Sequence, residues 1–107
     1  SWGYDHREVA LRIPRSTEHN RRIEHRVAGA EANPYLVLAA VLAGIHHGLT
    51  IQLDPGDPVA RDADLSQDDT TLPSRVDSAI DLFRRSQVLP DYLGHEFSRI
   101  YTGIRQG

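Results

Sequence analysis

An apolar segment from Tyr35 to Ile45 constrains the fold of this chain more than any other feature. Nearly every residue in it is apolar, and Asn33 followed by Pro34 marks a helix start directly before it. Asparagine can cap free backbone amides with its side chain, and proline at the first helical position loses no needed donor. We therefore predict a helix that begins after Asn33, ends near Gly48 and has no polar face, so that it needs packing partners all round.

The length of the chain limits how such a helix can be covered. With 107 residues, the chain amounts to at most one domain with a modest core, which is too little to surround an apolar helix. The sequence also contains no methionine, not even at position 1. We therefore expect residues 1–107 to be an incomplete part of a larger protein, in which the cover for this helix comes from further chain or from another subunit.

Two short strands are predicted ahead of the helix. Val9, Leu11 and Ile13 alternate with other residues before Pro14, which favours a strand that ends at the proline. A polar connection follows, and residues 22–28 form the second strand. The two strands are predicted to pair as antiparallel neighbours.

The second strand contains the most highly charged motif, residues 21–26, which read Arg-Arg-Ile-Glu-His-Arg. Because side chains alternate along a strand, Arg22, Glu24 and Arg26 are predicted to share one face. Two guanidinium groups would then flank one carboxylate, an arrangement suited to phosphate and a divalent cation. The opposite face would carry Ile23, His25 and Val27.

The remainder of the chain is predicted to be a loop and two helices. Residues 50–73 contain several prolines and many aspartates with little periodicity, which indicates a long irregular acidic loop. One helix follows Pro73 with Ser74 as its cap, and another starts at Pro90. The predicted fold class is α+β: an antiparallel β-hairpin, a buried helix, a long acidic loop and two amphipathic helices.

The charged strand face has two interpretations on the residues alone. Phosphoryl transfer is accelerated by positioned cations, and Glu24 could supply one oxygen ligand to Mg²⁺. An ordinary cross-strand charge ladder, worth about 0.2 to 1 kcal/mol per pair, explains the same spacing and is the commoner case. Binding of a nucleic-acid backbone also remains open, although the net charge of −3 at pH 7 and the lack of interleaved aromatic residues count against it.

Other classes of site find no support in the sequence. There are no cysteines, which excludes disulfides, thiolate metal sites and a cysteine nucleophile. The histidines lack a metal-ligand spacing, no serine lies in a nucleophile elbow, and no glycine-rich phosphate loop is present. No apolar run reaches transmembrane length, so the default expectation is a soluble, cytoplasmic protein that binds no membrane.

Three motifs together resemble the C-terminal catalytic segment of the glutamine synthetase family. They are Arg-Ile-Pro at residues 12–14, the motif at residues 21–26, and Ala-Asn-Pro-Tyr-Leu at residues 32–36. The order and spacing of the three are far more specific than any one of them. The resemblance covers essentially all 107 residues and implies that residues 1–107 are the C-terminal part of a glutamine synthetase-like catalytic domain.

The resemblance implies an ATP-dependent ligase that makes γ-glutamyl amides from glutamate and ammonia or an amine through an acyl phosphate. Mg²⁺ or Mn²⁺ would bridge the reactants, and the full-length protein would be a ring-shaped homo-oligomer. By matching motif positions, Glu24 resembles a metal ligand and Arg26 the arginine that holds the substrate α-carboxylate. Arg7 and Arg12 resemble arginines that face the transferring phosphate and the nucleotide, and Arg22 resembles a nucleotide-side phosphate contact. The chain by itself is expected to be inactive.

Departures from the family pattern bear on the second substrate. Ammonia-using members commonly read Arg-Ile-Glu-Val-Arg-Phe-Pro where this chain has His25, Val27, Ala28 and Gly29, which is more like the γ-glutamylpolyamine synthetase branch. His6 stands where an asparagine usually precedes the arginine, which weakens the match at Arg7. The rival from another class is a non-catalytic module that binds phosphate or nucleic acid.

Overall fold

The computed structural model describes residues 1–60 and 72–106. In it the chain divides into two compact units. The described residues of unit 1 are 1–32 and 54–60, and those of unit 2 are 33–53 and 72–106. The combination of a small sheet with helices confirms the predicted α+β class.

Unit 1 is built on a three-stranded sheet of order β1-β2-β3. The strands are β1 (Trp2–Tyr4), β2 (Leu11–Ile13) and β3 (Glu24–His25), with a short 3-10 helix at Glu18–Asn20 between the last two. The antiparallel pairing of β2 with β3 confirms the predicted hairpin, although both strands are shorter than expected. Strand β1 and its parallel pairing with β2 were not predicted. The pairing is unusual, because parallel neighbours normally need a much longer connection than residues 5–10 provide.

The small core of unit 1 lies beside β1 and is closed by a distant segment. Val9 is 2% exposed, and His6 beside it is 4% exposed. The Val59 N–H donates to the Trp2 carbonyl at 2.8 Å, and Trp2 Nε1 donates to the Gly56 carbonyl at 3.0 Å. Residues 54–60 therefore cover the outer edge of β1, which would otherwise leave backbone groups unpaired. Residues 61–71 of the predicted acidic loop lie outside the described residues.

Unit 2 begins with helix α1 (Pro34–Thr50), which confirms the predicted helix start. Asn33 Oδ1 accepts hydrogen bonds from the Tyr35 and Leu36 amides at 2.9 and 3.4 Å. The predicted end at Gly48 is wrong, because the helix runs on to Thr50. The chain turns instead at Gln52, whose φ of 53° lies in the left-handed region.

Among residues 72–106 the structure has three helices where two were predicted: α2 (Val76–Arg85), α3 (Val88–Leu93) and α4 (His95–Gln106). The predicted cap Ser74 is wrong, because Arg75 occupies the cap position and makes no capping hydrogen bond with its side chain. The predicted third helix is split at Gly94, whose φ of 95° suits glycine and ends α3. Helix α1 packs against α3, and α2 packs against α4.

Unit 2 leaves much apolar surface in contact with solvent. Within α1 the only buried residue is Ala43, because the described part of unit 2 covers this helix on one side. A row of large apolar side chains at alternating spacings of three and four residues is between 49% and 84% exposed: Tyr35, Leu38, Leu42, Ile45 and Leu49. Among the described helices, none combines the length and apolar character that a membrane span requires.

Candidate functional site

The candidate site is centred on Arg12 and Glu24, which occupy paired positions on β2 and β3. Arg12 Nη1 donates to Glu24 Oε2 at 2.9 Å. Their side chains are 20% and 30% exposed, so the pair is partly shielded from solvent. Directly opposed residues in an antiparallel pair have close Cβ atoms, and strand register therefore determines which arginine meets Glu24.

Arg22 contacts the second oxygen of the same carboxylate. Arg22 Nη2 donates to Glu24 Oε1 at 3.2 Å, and its Nη1 donates to the Asn20 carbonyl at 3.4 Å. The Arg22 side chain is 56% exposed. Glu24 thus lies between two guanidinium groups, as the motif predicted, but these belong to Arg12 and Arg22.

The two arginines alter the titration of Glu24. The hydrogen bond from Arg12 is the largest cause that lowers the pKa of Glu24 below the usual glutamate range, and Arg22 adds to it. Both contacts favour the charged carboxylate, since each places a positive charge and hydrogen-bond donors beside it. Glu24 is therefore an anion at neutral pH.

Arg26 and Arg7 lie apart from this contact group. Arg26 follows β3, and its amide donates to the Ala10 carbonyl at 2.9 Å. The predicted contact between Arg26 and Glu24 is absent from the ion pairs of the described residues, in which Glu24 is paired with Arg12 and Arg22. The side chains of Arg7 and Arg26 are exposed and form no ion pair with other described residues. The amide of Glu8 donates to His6 Nδ1 at 3.0 Å, within the turn that carries Arg7.

A second carboxylate, Asp5, was missed by the sequence reasoning. Asp5 Oδ1 is 3.7 Å from Arg12 Nη2, and Asp5 Oδ2 is 3.4 Å from Arg15 Nε. The result is a row of alternating charges in the order Arg15, Asp5, Arg12, Glu24, Arg22. Asp5 comes directly after β1, and the unexpected pairing of β1 with β2 brings it to Arg12.

A divalent cation fits this site only in part. Glu24 offers the carboxylate oxygens that Mg²⁺ and Mn²⁺ prefer, but both oxygens accept hydrogen bonds from arginine. Within residues 1–60 and 72–106 there is no group of three or more His, Cys, Asp or Glu side chains placed to hold a metal. The described residues therefore fit one ligand of a metal site, beside cations that suit phosphate oxygens.

The family model for the catalytic domain of glutamine synthetase matches residues 1–107. The chain belongs to the glutamine synthetase family.

Three relatives show in more detail which proteins this chain is similar to. The chain is 46% identical to gamma-glutamylputrescine synthetase PuuA of Escherichia coli (strain K12) over 105 residues, which cover 98% of the chain and 22% of that protein. It is 33% identical to glutamate–isopropylamine ligase of a Pseudomonas species over 107 residues, covering 98% of the chain and 23% of the ligase. Lengsin of Rattus norvegicus is 31% identical over 111 residues, covering 99% of the chain and 19% of lengsin.

These matches confirm the predicted family and the likeness to the γ-glutamylpolyamine synthetase branch. The chain spans about a fifth of the length of the relatives. Two of the three relatives are named as enzymes that join glutamate or a γ-glutamyl group to an amine.

Proposed function

We propose that this chain is the C-terminal segment of a glutamine synthetase-like catalytic domain and forms one wall of its active site. The full-length enzyme would be an ATP-dependent ligase that makes a γ-glutamyl amide from glutamate and an amine or ammonia through an acyl phosphate. The observation that carries the proposal is the contact group in which Arg12 and Arg22 bind the two oxygens of Glu24. The match of the family model along the whole chain supports it.

The proposed role of each site residue follows the resemblance to the family motifs, and the charge of the side chain suits that role. Arg12 and Arg22 would bind phosphate oxygens of the nucleotide, since guanidinium groups match phosphate with paired donors. Glu24 would give one carboxylate oxygen to Mg²⁺ or Mn²⁺. Arg26 would hold the α-carboxylate of glutamate, and Arg7 would face the transferring phosphate.

The chemistry requires charge stabilisation that these side chains can provide. When bound, ATP and a divalent cation supply the phosphoryl group and neutralise its developing charge. Arg7 and Arg12 would stabilise the same charge from the protein side, because fixed cations near the transferring group act without reorganisation. Arg26 would orient glutamate so that its γ-carboxylate is the group that reacts.

The names of two relatives support an amine as the second substrate rather than ammonia alone. The exposed apolar row on α1 supports further covering chain or neighbouring subunits, which suits a homo-oligomer of the full-length protein. We also propose a cytoplasmic location for the full-length protein, because its substrates would be the ATP and glutamate of the cytoplasm. The isolated chain would be inactive, since one carboxylate does not make a metal site that supports turnover.

A segment exchange tests the proposal. In gamma-glutamylputrescine synthetase PuuA, the matched 105-residue segment is replaced by this chain to give the exchanged enzyme. We expect it to release phosphate from ATP in the presence of glutamate and an amine, with putrescine, isopropylamine and ammonia as the amines compared. The 107-residue chain alone should release none.

The exchanged enzyme also tests the individual roles. Glu24→Ala should abolish metal-dependent turnover, whereas Asp77→Asn, which removes an exposed ion pair with Arg75 in unit 2, should leave turnover intact. An exchanged enzyme that assembles normally and makes no amide would contradict the proposal. Full activity of Glu24→Ala would contradict the metal-ligand role.

Exposed arginines in unit 1 make a phosphate or nucleic-acid binding module the second candidate. The Arg15 and Arg22 side chains are 73% and 56% exposed. Such a module would bind RNA or DNA with strong dependence on salt, and Arg22→Ala and Arg26→Ala would weaken the binding. Salt-sensitive binding together with an inactive exchanged enzyme would favour this candidate over the ligase.

A further inference from the structure

Arg12 lies between two carboxylates, and only Glu24 has a role in the proposed function. We infer that the other, Asp5, is a positioning residue that fixes the orientation of the Arg12 guanidinium. The use of Arg12 for phosphate rests on the proposed function, whereas its placement by Asp5 rests on the geometry of unit 1. Asp5 has no role in the family motifs described above.

The contacts of Arg12 hold its guanidinium on two sides. Its Nη1 is 2.9 Å from Glu24 Oε2, and its Nη2 is 3.7 Å from Asp5 Oδ1. The second distance is that of an ion pair without a direct hydrogen bond. Because the Arg12 and Asp5 side chains are each only 20% exposed, solvent screens this attraction less than at an open surface.

Asp5 is itself held independently of Arg12. Its Oδ1 accepts a hydrogen bond from the Arg15 amide at 2.8 Å, and its Oδ2 is 3.4 Å from Arg15 Nε. Its own amide donates to the Ile13 carbonyl at 3.1 Å, which continues the pairing of β1 with β2. The Arg15 amide therefore holds the Asp5 carboxylate, and the hydrogen bond to the Ile13 carbonyl holds the Asp5 backbone. Neither contact involves Arg12.

The backbone of Asp5 adopts a conformation that few side chains accept. Its φ of 55° lies in the left-handed region, where aspartate and asparagine occur more often than other residues with a Cβ. Strained residues persist where their surroundings determine them fully, and they cluster at functional sites. Here the left-handed turn directly after β1 brings the carboxylate to both Arg12 and Arg15.

The orientation of Arg12 matters because a positioned donor stabilises developing charge only if it need not reorient. A guanidinium held on one side rotates about its Cζ–Nε bond, whereas one held on both sides keeps its Nη groups distinct. Loss of the Asp5 carboxylate should therefore let the two Nη groups of Arg12 exchange places beside Glu24. The phosphate-facing donors would then lose their fixed direction.

The test uses NMR of arginine side chains in the 107-residue chain. We expect separate, slowly exchanging Nη signals for Arg12 in the unchanged chain. Asp5→Asn preserves shape and tolerates the left-handed backbone, so the expected result is loss of separate Arg12 signals with little change in backbone amide shifts. Asp5→Gly, which removes the carboxylate and relieves the backbone strain, should give the same loss even if Asp5→Asn does not fold.

Arg15→Ala is the matched control. It removes the exposed guanidinium that pairs with Asp5, and it keeps the hydrogen bond from the backbone amide of residue 15 to Asp5 Oδ1. Separate Arg12 signals should persist in this variant. Their persistence in Asp5→Asn and Asp5→Gly would overturn the inference, and so would their loss in Arg15→Ala. In the exchanged enzyme, Asp5→Asn should lower kcat more than it raises the KM for ATP, because the lost orientation of Arg12 acts on the developing charge.

The NMR measurement needs no turnover, so the two proposals can fail separately. An inactive exchanged enzyme would contradict the ligase proposal, while the Arg12 signals would still decide the role of Asp5. An active exchanged enzyme with unchanged Arg12 signals in both Asp5 variants would overturn the role of Asp5 alone.

Discussion

Arg12 and Glu24 face each other across β2 and β3, with 2.9 Å between Arg12 Nη1 and Glu24 Oε2. The register of β2 against β3 places Arg12 opposite Glu24. The spacing of residues within the motif at 21–26 gives no indication of this contact. Arg22, from the same segment as Glu24, binds the second oxygen. Glu24 therefore connects residues 12–14 to the motif at residues 21–26 through its contacts with Arg12 and Arg22.

The pairing of Glu24 should be visible in its titration. Arg12 is the largest cause that lowers the pKa of Glu24, ahead of Arg22. Arg12→Ala should therefore raise that pKa toward the usual glutamate range by more than Arg22→Ala does, as measured by the pH dependence of the Glu24 carboxyl carbon shift. Asp77, whose pKa is lowered mainly by Arg75 in unit 2, should titrate unchanged in both variants.

The same lowering sets the direction of the stability change with pH. A carboxylate with a lowered pKa in the folded state stabilises the fold above the usual glutamate pKa, and this stabilisation is lost as the pH falls through the lowered value. Arg12→Ala should therefore reduce stability at neutral pH and have little effect at strongly acidic pH. An identical Glu24 titration in Arg12→Ala and the unchanged chain would contradict this assignment.

Features governed by local chemistry could be predicted from the sequence. The helix start at Asn33 and Pro34 depends on neighbouring amides, and the structure has both the cap and the helix. The antiparallel pairing of β2 with β3 followed from two short strands close in sequence. Helix α1 does not end at Gly48, where a Cβ would meet no other atom. A glycine inside a helix lowers the stability of the helix but does not by itself end it.

Features that depend on distant pairing could not be predicted in this way. The sheet pairing of β1 with β2 brings Asp5 to Arg12, and no periodicity encodes that contact. Strand alternation predicted that Arg22 and Arg26 would flank Glu24, but its ion-pair partners among the described residues are Arg22 and the cross-strand neighbour Arg12. The predicted contact between Arg22 and Glu24 is present. The second guanidinium beside Glu24 belongs to Arg12, which lies on another strand.

The Asn33 cap should contribute measurably to the stability of unit 2. Its Oδ1 accepts from two amides of the first turn of α1, and loss of such a cap costs about 0.5–2 kcal/mol. Asn33→Ala should lower helix content by circular dichroism and reduce protection of the Tyr35 and Leu36 amides from hydrogen exchange. Ser74→Ala should do neither, because Ser74 is not the cap of α2; equal effects of the two variants would argue against the cap.

Gly3 should be required for residues 54–60 to cover β1. A Cβ at this position would lie 3.0 Å from the Val59 carbonyl oxygen, which is backbone and cannot move aside alone. Gly3→Ala should therefore shift this segment and weaken the hydrogen bond from Trp2 Nε1 to the Gly56 carbonyl. Since the chain has one tryptophan, its fluorescence reports the change directly. Gly29→Ala has open space and should leave the emission unchanged.

Val9 should be the main apolar anchor of unit 1, because it is 2% exposed beside a sheet of only three short strands. Val9→Ala removes two buried methyl groups and leaves a cavity, at a cost of about 1–3 kcal/mol in the free energy of unfolding. Ile23→Ala removes more atoms from a side chain in the same unit that is 63% exposed, and should change that free energy by less than about 0.5 kcal/mol. Urea denaturation followed by the Trp2 fluorescence compares the two variants, and a larger loss of stability for Ile23→Ala than for Val9→Ala would contradict the role of Val9 as the main anchor.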